Sequence, residues 1–248
     1  MACAGKLSRA TVQAATGVGP ATSQQEREDA KRIVDLIGIE HHWVQPNEHL
    51  SQQYRSNDLQ RCFHCKTHLF QALQNQFPGW TIITGTNSDD LGDFRPGLEA
   101  AKNASVQAPL AELGISKELV RQLASHWQLP VADKPASPCL ASRIAFGVEV
   151  TEERLGRVEA AEQYLKQLMR TPDCRVRVHH DELARIELPL DQIPELLQAL
   201  RLSQVLEFFK QLGFRHVTVD LAGLRSGSLN PVDAQAALHS ISLPNNSR

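Results

Sequence analysis

The chain has 248 residues, of which 42% are hydrophobic, with 26 basic and 28 acidic side chains. That length supports one large core, or a medium core with a smaller attached domain. The near balance of charge excludes a global field that would recruit nucleic acid or an anionic membrane. The opening MACAGKLSRATVQAATG lacks the apolar centre of a signal peptide, and no stretch approaches the ~20 apolar residues that span a bilayer. The expectation is a cytoplasmic protein with neither membrane nor nucleic acid as partner. Its five cysteines, Cys3, Cys62, Cys65, Cys139 and Cys174, would then not form a disulfide framework, and the close pair in RCFHCK points to metal or redox chemistry.

In chain order, ATSQQEREDAKRIVDLIG predicts a helix. Ser23 and Glu26 form a capping box, Ala30, Ile33, Val34 and Ile37 share a face, and Gly38 stops it. IEHHWV reads as a strand, and CKTHLFQALQNQF as a second helix with Leu69, Phe70, Leu73 and Phe77 at helical spacing. WTIITGT reads as a short buried strand ending at Gly85. A third helix starts near Ser116 and is expected to bury Leu119, Val120, Leu123 and Trp127. Strands alternating with helices predict an α/β fold with a parallel sheet covered on both faces. The texture changes at LPVADKPASPCLASRIAFG. Beyond it come a helix from about Thr151, strands CRVRVHH and LARIELPL, a helix from about Gln192 to Gly213 and a strand HVTVDLAG, enough for a small α+β domain. The expected division is residues 1–135, a junction at 136–150 that carries Cys139, a domain at 151–230 and a tail at 231–248.

Three groups of residues carry chemistry. Cys62 and Cys65 are spaced so that both thiolates reach one metal from a turn leading into a helix, whose N-terminus favours anionic sulfur. Cys139 could supply a third ligand, which suits an iron–sulfur cluster with one open iron, or zinc completed by His64. Unrelated reduced thiols fit the same spacing. TGTNSDDLGDFRPG follows a strand end, where open α/β sheets bind ligands. Its Asn87, Asp89, Asp90, Asp93 and Arg95 are placed for a nucleotide and a divalent cation, although a solvated loop of turn formers has the same composition. In CRVRVHH the alternation sets Arg175, Arg177 and His179 on one face and Val176 and Val178 on the other. Two guanidinium groups there form a fork for phosphate or carboxylate, unless Arg185 and Glu187 of the neighbouring strand absorb them in a solvated charged face. Arg143 brings a further cation to the junction; a structural arginine there would pair with a carboxylate.

RCFHCK, TGTNSDDLGDFRPGLEAAK, DKPASPCLASRIAFG, VRVHHDELARIE and DLAGLRSGSLN stand in this order, and the set resembles the LarE family of ATP-dependent sulfur transferases, within the PP-loop ATP pyrophosphatases. The resemblance runs from about Thr16 to Asn230. It implies a Rossmann-like PP-loop sheet of the adenine nucleotide alpha hydrolase type, followed by a smaller α+β domain. It also implies ATP and Mg²⁺ as cofactors, a homo-oligomer, and sulfur insertion into a pyridinium biscarboxylate mononucleotide on the route to the nickel-pincer cofactor of lactate racemase. In such chemistry ATP adenylates a carboxylate, a sulfur nucleophile attacks the activated acyl group and AMP leaves. Some members give up the sulfur of the CLASR cysteine. Others pair that cysteine with Cys-x-x-Cys and hold a [4Fe-4S] cluster whose open iron carries the sulfide. Because Cys62, Cys65 and Cys139 are all present, the resemblance implies the cluster type, with Cys139 catalytic, Asn87, Asp89 and Asp90 at the nucleotide, and Arg143, Arg175 and Arg177 gripping phosphate and carboxylates.

One departure stands out. PP-loop enzymes open with a strand and a Ser-Gly-Gly-x-Asp-Ser loop whose amides hold the ATP phosphates, and no such stretch occurs here. The expectation is a sheet missing its central first strand, with unpaired edges and an apolar gap, from a start codon placed too late or a truncated gene whose product does not hydrolyse ATP. Two rival readings follow: a tRNA-thiolating PP-loop enzyme, and a non-catalytic iron–sulfur- or zinc-binding remnant.

Overall fold

A computed structural model describes residues 11–92, 96–134, 137–225 and 227–229. Cys3, Asp93, Arg95 and the 231–248 tail therefore lie outside the described residues. The chain divides into two compact units, each described by itself. One comprises Met1–Leu50, Leu59–Ser137 and Pro231–Arg248, the other Ser51–Asp58 and Pro138–Asn230.

In the first unit, β1 (Ala14–Gly17) pairs in parallel with β2 (His41–Val44), from Ala14 opposite His41 to Gly17 opposite Val44. Helix α1 (Gln24–Ile37) connects them, and its ends follow the local chemistry. The Ser23 hydroxyl accepts the Glu26 N–H at 3.3 Å, and Gly38 closes the helix at φ +72°, a conformation that favours glycine. Helix α2 (Arg61–Gln76) begins a turn earlier than its apolar pattern suggests and buries Phe70 and Leu73. These pack with Val44 and with Ala100 of α3 (Pro96–Asn103) to make the unit's core.

Two sequence expectations change here, and one strand is additional. The strand β1 was not legible, because its AATG carries no β-branched or aromatic alternation apart from Thr16. WTIITGT is not a buried strand. It forms one bridge, Ile83 to Gln107, with the Thr84 N–H donating to the Gln107 carbonyl at 2.9 Å, and Trp80 and Ile83 stay 45% and 43% exposed. Its other side borders a cleft of about 380 Å³, walled by Val12–Ala15 and Trp80–Gly85 and floored by Leu69, Phe70, Leu73 and Phe77. Helix α4 (Lys117–His126) forms with Ser116 as its cap, yet buries no residue. Its periodicity fixes the helix and one apolar face, but nothing in a periodic pattern supplies a covering partner.

The second unit is built on β3 (Arg175–His179), which runs antiparallel to β4 (Leu183–Glu187); β4 in turn runs parallel to β5 (His216–Val219). Helices α5 (Glu152–Met169) and α6 (Ala199–Gln211) accompany this sheet, and Val158, Ala161, Leu165, Val176, Val178 and Phe209 are fully buried. The single helix expected from about Gln192 is two pieces, Ile193–Leu196 and α6, because Gln198 adopts an extended backbone at φ −61°, ψ 138°. The Ser51–Asp58 strap contributes Tyr54 and Asn57 to the buried set of this unit. No helix among the described residues is long and apolar enough to cross a membrane.

Candidate functional site

In the first unit RCFHCK occupies the opening turns of α2. Cys62 and Cys65 are three residues apart on one helix and so are neighbours on its surface. Cys62 is exposed, Cys65 half-buried, and no described cysteine is in a disulfide. The buried Arg61 guanidinium reaches Cys62 Sγ at 3.9 Å. Helix α3 comes close at this turn because Gly97 has no side chain: a Cβ there would stand 2.9 Å from Lys66 Cγ and 3.6 Å from the Cys62 carbonyl oxygen.

The Asn87–Asp90 loop turns its polar groups onto backbone. Asn87 Oδ1 accepts the Asp89 N–H at 3.0 Å, Asp90 Oδ2 accepts the Asn87 N–H at 3.1 Å, and Asp89 Oδ2 accepts the Lys117 N–H at 3.0 Å at the start of α4. These residues form a turn whose polar groups bond its own backbone and the start of α4, of the kind their turn-forming composition favours.

In the second unit Cys139 caps the single turn Leu140–Arg143 with its thiol exposed. This turn lies along β3: Ile144 bridges Val178, and the Ala145 N–H donates to the Val178 carbonyl at 2.8 Å. Arg143 is buried and its donors are directed inward. Nε donates to Glu162 Oε1 at 3.0 Å and Nη2 to Oε2 at 3.4 Å. Nη1 donates to the Cys139 carbonyl at 3.1 Å, to Ser142 Oγ at 3.0 Å and to the Pro138 carbonyl. This is the carboxylate pairing expected of a structural arginine. Glu162 Oε1 also accepts the Val176 N–H at 3.0 Å, so one buried carboxylate ties α5, β3 and the Cys139 turn together.

Arg177 lies inside rather than on a solvated face. It donates twice to Glu187 Oε2, at 3.0 and 2.9 Å, and once to the Ser142 carbonyl at 3.0 Å. Glu187 is fully buried and accepts from Arg185 at 3.2 Å and from Ser228 Oγ at 2.6 Å on its other oxygen. Arg175 differs: it is half-buried, and its guanidinium meets the Arg225 carbonyl at 3.4 Å. Burial, and after it the Arg177 and Arg143 cations, push its pKa below the ordinary arginine value, as expected of a cation held near like charges. Burial first, then Arg185 and Arg177, also lower the pKa of His179 and favour its neutral imidazole. Glu187 is the cross-strand partner named from the sequence as the alternative to ligand binding, whereas Glu162 was not singled out; its signal is faint, an acidic position on an amphipathic helix.

The described residues contain no group of three or more His, Cys, Asp and Glu side chains placed to hold a metal ion. Thiolates are apt donors for iron; Cys62 and Cys65 stand together on α2 in the first unit, and Cys139 belongs to the second.

The first unit defines a parallel-stranded α/β domain carrying a cysteine pair, and the second an α+β domain in which the turn capped by Cys139 lies along a strand carrying Arg175 and Arg177. No family model matches the chain. It is 32% identical over 238 residues to the pyridinium-3,5-bisthiocarboxylic acid mononucleotide synthase of Lactiplantibacillus plantarum, covering 94% of this chain and 84% of that one. It is 45% identical over 223 residues to an uncharacterized protein of Synechocystis sp., covering 88% and 82%. An uncharacterized protein of Methanocaldococcus jannaschii is 29% identical over 173 residues, covering 68% and 66%. The chain belongs to the LarE family, that of the Lactiplantibacillus synthase.

Proposed function

We propose that this chain is an ATP-dependent sulfur transferase that converts a carboxylate of a pyridinium-3,5-biscarboxylic acid mononucleotide to a thiocarboxylate, in biosynthesis of a nickel-pincer cofactor. The observation that carries this reading is the exposed Cys139 thiol on a turn that Arg143 fixes beside β3, where Arg175 keeps hydrogen-bonding capacity for an anion. Arg175 takes the substrate's phosphate or carboxylate. Arg143 and Arg177, bound to Glu162 and Glu187, hold the surface on which that contact is made.

The carboxylate oxygen attacks the α-phosphorus of ATP and pyrophosphate leaves. The sulfur nucleophile then adds to the acyl carbon, and collapse of the tetrahedral intermediate expels AMP. Asn87, Asp89 and Asp90 are the candidates for the nucleotide and Mg²⁺, with Asp89 and Asp90 oriented by the turn they close. The first unit belongs in this reading as a PP-loop sheet, supported by the parallel β1–β2 pair and by the apolar cleft beside β1, where a further strand would stand. The [4Fe-4S] cluster on Cys62, Cys65 and Cys139 belongs to the same family reading, and no step is derived through it. A cytoplasmic homo-oligomer completes the proposal.

The test is pyrophosphate release that depends on the biscarboxylate mononucleotide, with mass spectrometry of product and protein. A thiocarboxylate product is expected. If Cys139 donates its own sulfur, the Cβ–S bond breaks with loss of the α-proton and leaves dehydroalanine; an intact Cys139 after turnover assigns the sulfur to another source. Metal binding with no substrate-dependent pyrophosphate release would leave the non-catalytic remnant as the better reading.

A further inference from the structure

Asn57 is fully buried, in the strap that precedes RCFHCK, and its side-chain amide bonds the segment that follows the Cys139 turn. Its Nδ2 donates to the carbonyls of Ala145 and Val148, both at 2.8 Å, and of Ile144 at 3.3 Å. The Gly147 N–H returns a bond to the Asn57 carbonyl at 3.1 Å, and the Val150 N–H reaches the Arg55 carbonyl at 2.9 Å. Three carbonyl oxygens converging on one buried point require a donor-only group, which the amide NH₂ supplies and a carboxylate would repel. The backbone of Asn57 is left-handed at φ +56°, a conformation asparagine tolerates better than most residues. Ile144 and Ala145 make the backbone join between the Cys139 turn and β3. Asn57 therefore bonds the joint itself rather than a distant part of the unit.

We propose that Asn57 is a positioning residue for the Cys139 turn: by holding residues 144–148 from behind, it fixes the Leu140–Arg143 turn against β3. The proposal rests on the reading of Cys139 as the thiol that handles sulfur.

The test uses the full chain carrying Asn57→Gly, which keeps the left-handed backbone without strain and removes the amide. Hydrogen exchange across residues 139–148 is expected to quicken at least tenfold while α5 and β3–β5 keep their protection. In sulfur transfer, kcat is expected to fall more than tenfold with KM for the mononucleotide within twofold, a split that general loosening of the domain would not give. Unchanged exchange at 139–148, or an unchanged kcat, overturns the proposal. If Asn57→Gly exchanges throughout the unit, Asn57→Ser, which keeps one donor, is measured; global exchange in both variants also overturns it, since the residue then serves the whole domain and not the turn. A Cys139→Ser variant separates the two readings. Retained sulfur incorporation in it defeats the role of Cys139, while the exchange experiment still decides whether Asn57 holds the turn.

Discussion

Removing the Glu162 carboxylate would strand the buried Arg143 cation and leave the Val176 N–H without its acceptor. Breaking a buried pair on one side costs about 3–5 kcal/mol, so Glu162→Ala is expected to lose about that much in urea unfolding, and Glu162→Gln less. Cys174 offers a second test. Burial first, and then the nearby Glu162 carboxylate, push its thiol up to about 12. The unfolded chain ionises that thiol at lower pH than the folded one does. Stability should therefore fall as pH rises from about 9 towards 12, by at most about 1.4 kcal/mol per pH unit, with no effect below that window. Cys174→Ala should flatten the slope, and iodoacetamide at pH 8 should label Cys62 and Cys139 while sparing Cys174 in the folded protein. These single-residue environments were only partly legible. The exposed cysteines stand in short motifs that can be read directly, whereas the partners of Arg143 and Arg177 lie 19 and 10 residues further along the chain. Pairing of Arg177 with Glu187 on the neighbouring strand was legible as an alternative, but strand alternation cannot say that the pair will be buried or that Ser228 will bond Glu187.

Capping decides most of the helix ends, and capping is local, which is why α1, α4 and α5 start where the sequence indicates. Thr151 caps α5 by accepting the Arg154 N–H at 3.2 Å. Thr151→Ala is expected to cost about 1 kcal/mol, visible as a lower thermal midpoint. Gly223 ends the segment after β5 at φ +71°, and a Cβ there would meet Leu190 Cγ at 2.9 Å and the Leu188 carbonyl oxygen at 3.0 Å. Gly223→Ala thus combines backbone strain with a steric clash and should destabilise by more than 1 kcal/mol, measurable by calorimetry. The strands were harder to read than the helices. The AATG of β1 is a strand because β2 pairs with it, and the aromatic and β-branched WTIITGT makes a single bridge, at Ile83, because no strand runs along it among the described residues. In both cases pairing overrides propensity.

At the scale of the molecule, Leu50 and Leu113 are 71% and 76% exposed in the first unit, and Leu190, Leu200 and Leu221 are 62%, 73% and 80% exposed in the second. If the proposed homo-oligomer forms through the latter three, Leu200→Glu should shift the protein to a smaller species in analytical ultracentrifugation without changing its helix content. An unaltered sedimentation coefficient would count against this surface. The units themselves are not consecutive lengths of chain, since Ser51–Asp58 belongs with residues that follow it by more than eighty positions. No local pattern announces such an exchange: the strap is short, and its Tyr54 and Asn57 read as ordinary loop residues until their partners are known. One consequence bears on anyone who would excise the arginine-lined domain. A polypeptide started at Pro138 would leave behind an aromatic ring and the amide that fills three carbonyls, so its interior would begin with a hole and a polar wound that its own sequence cannot mend.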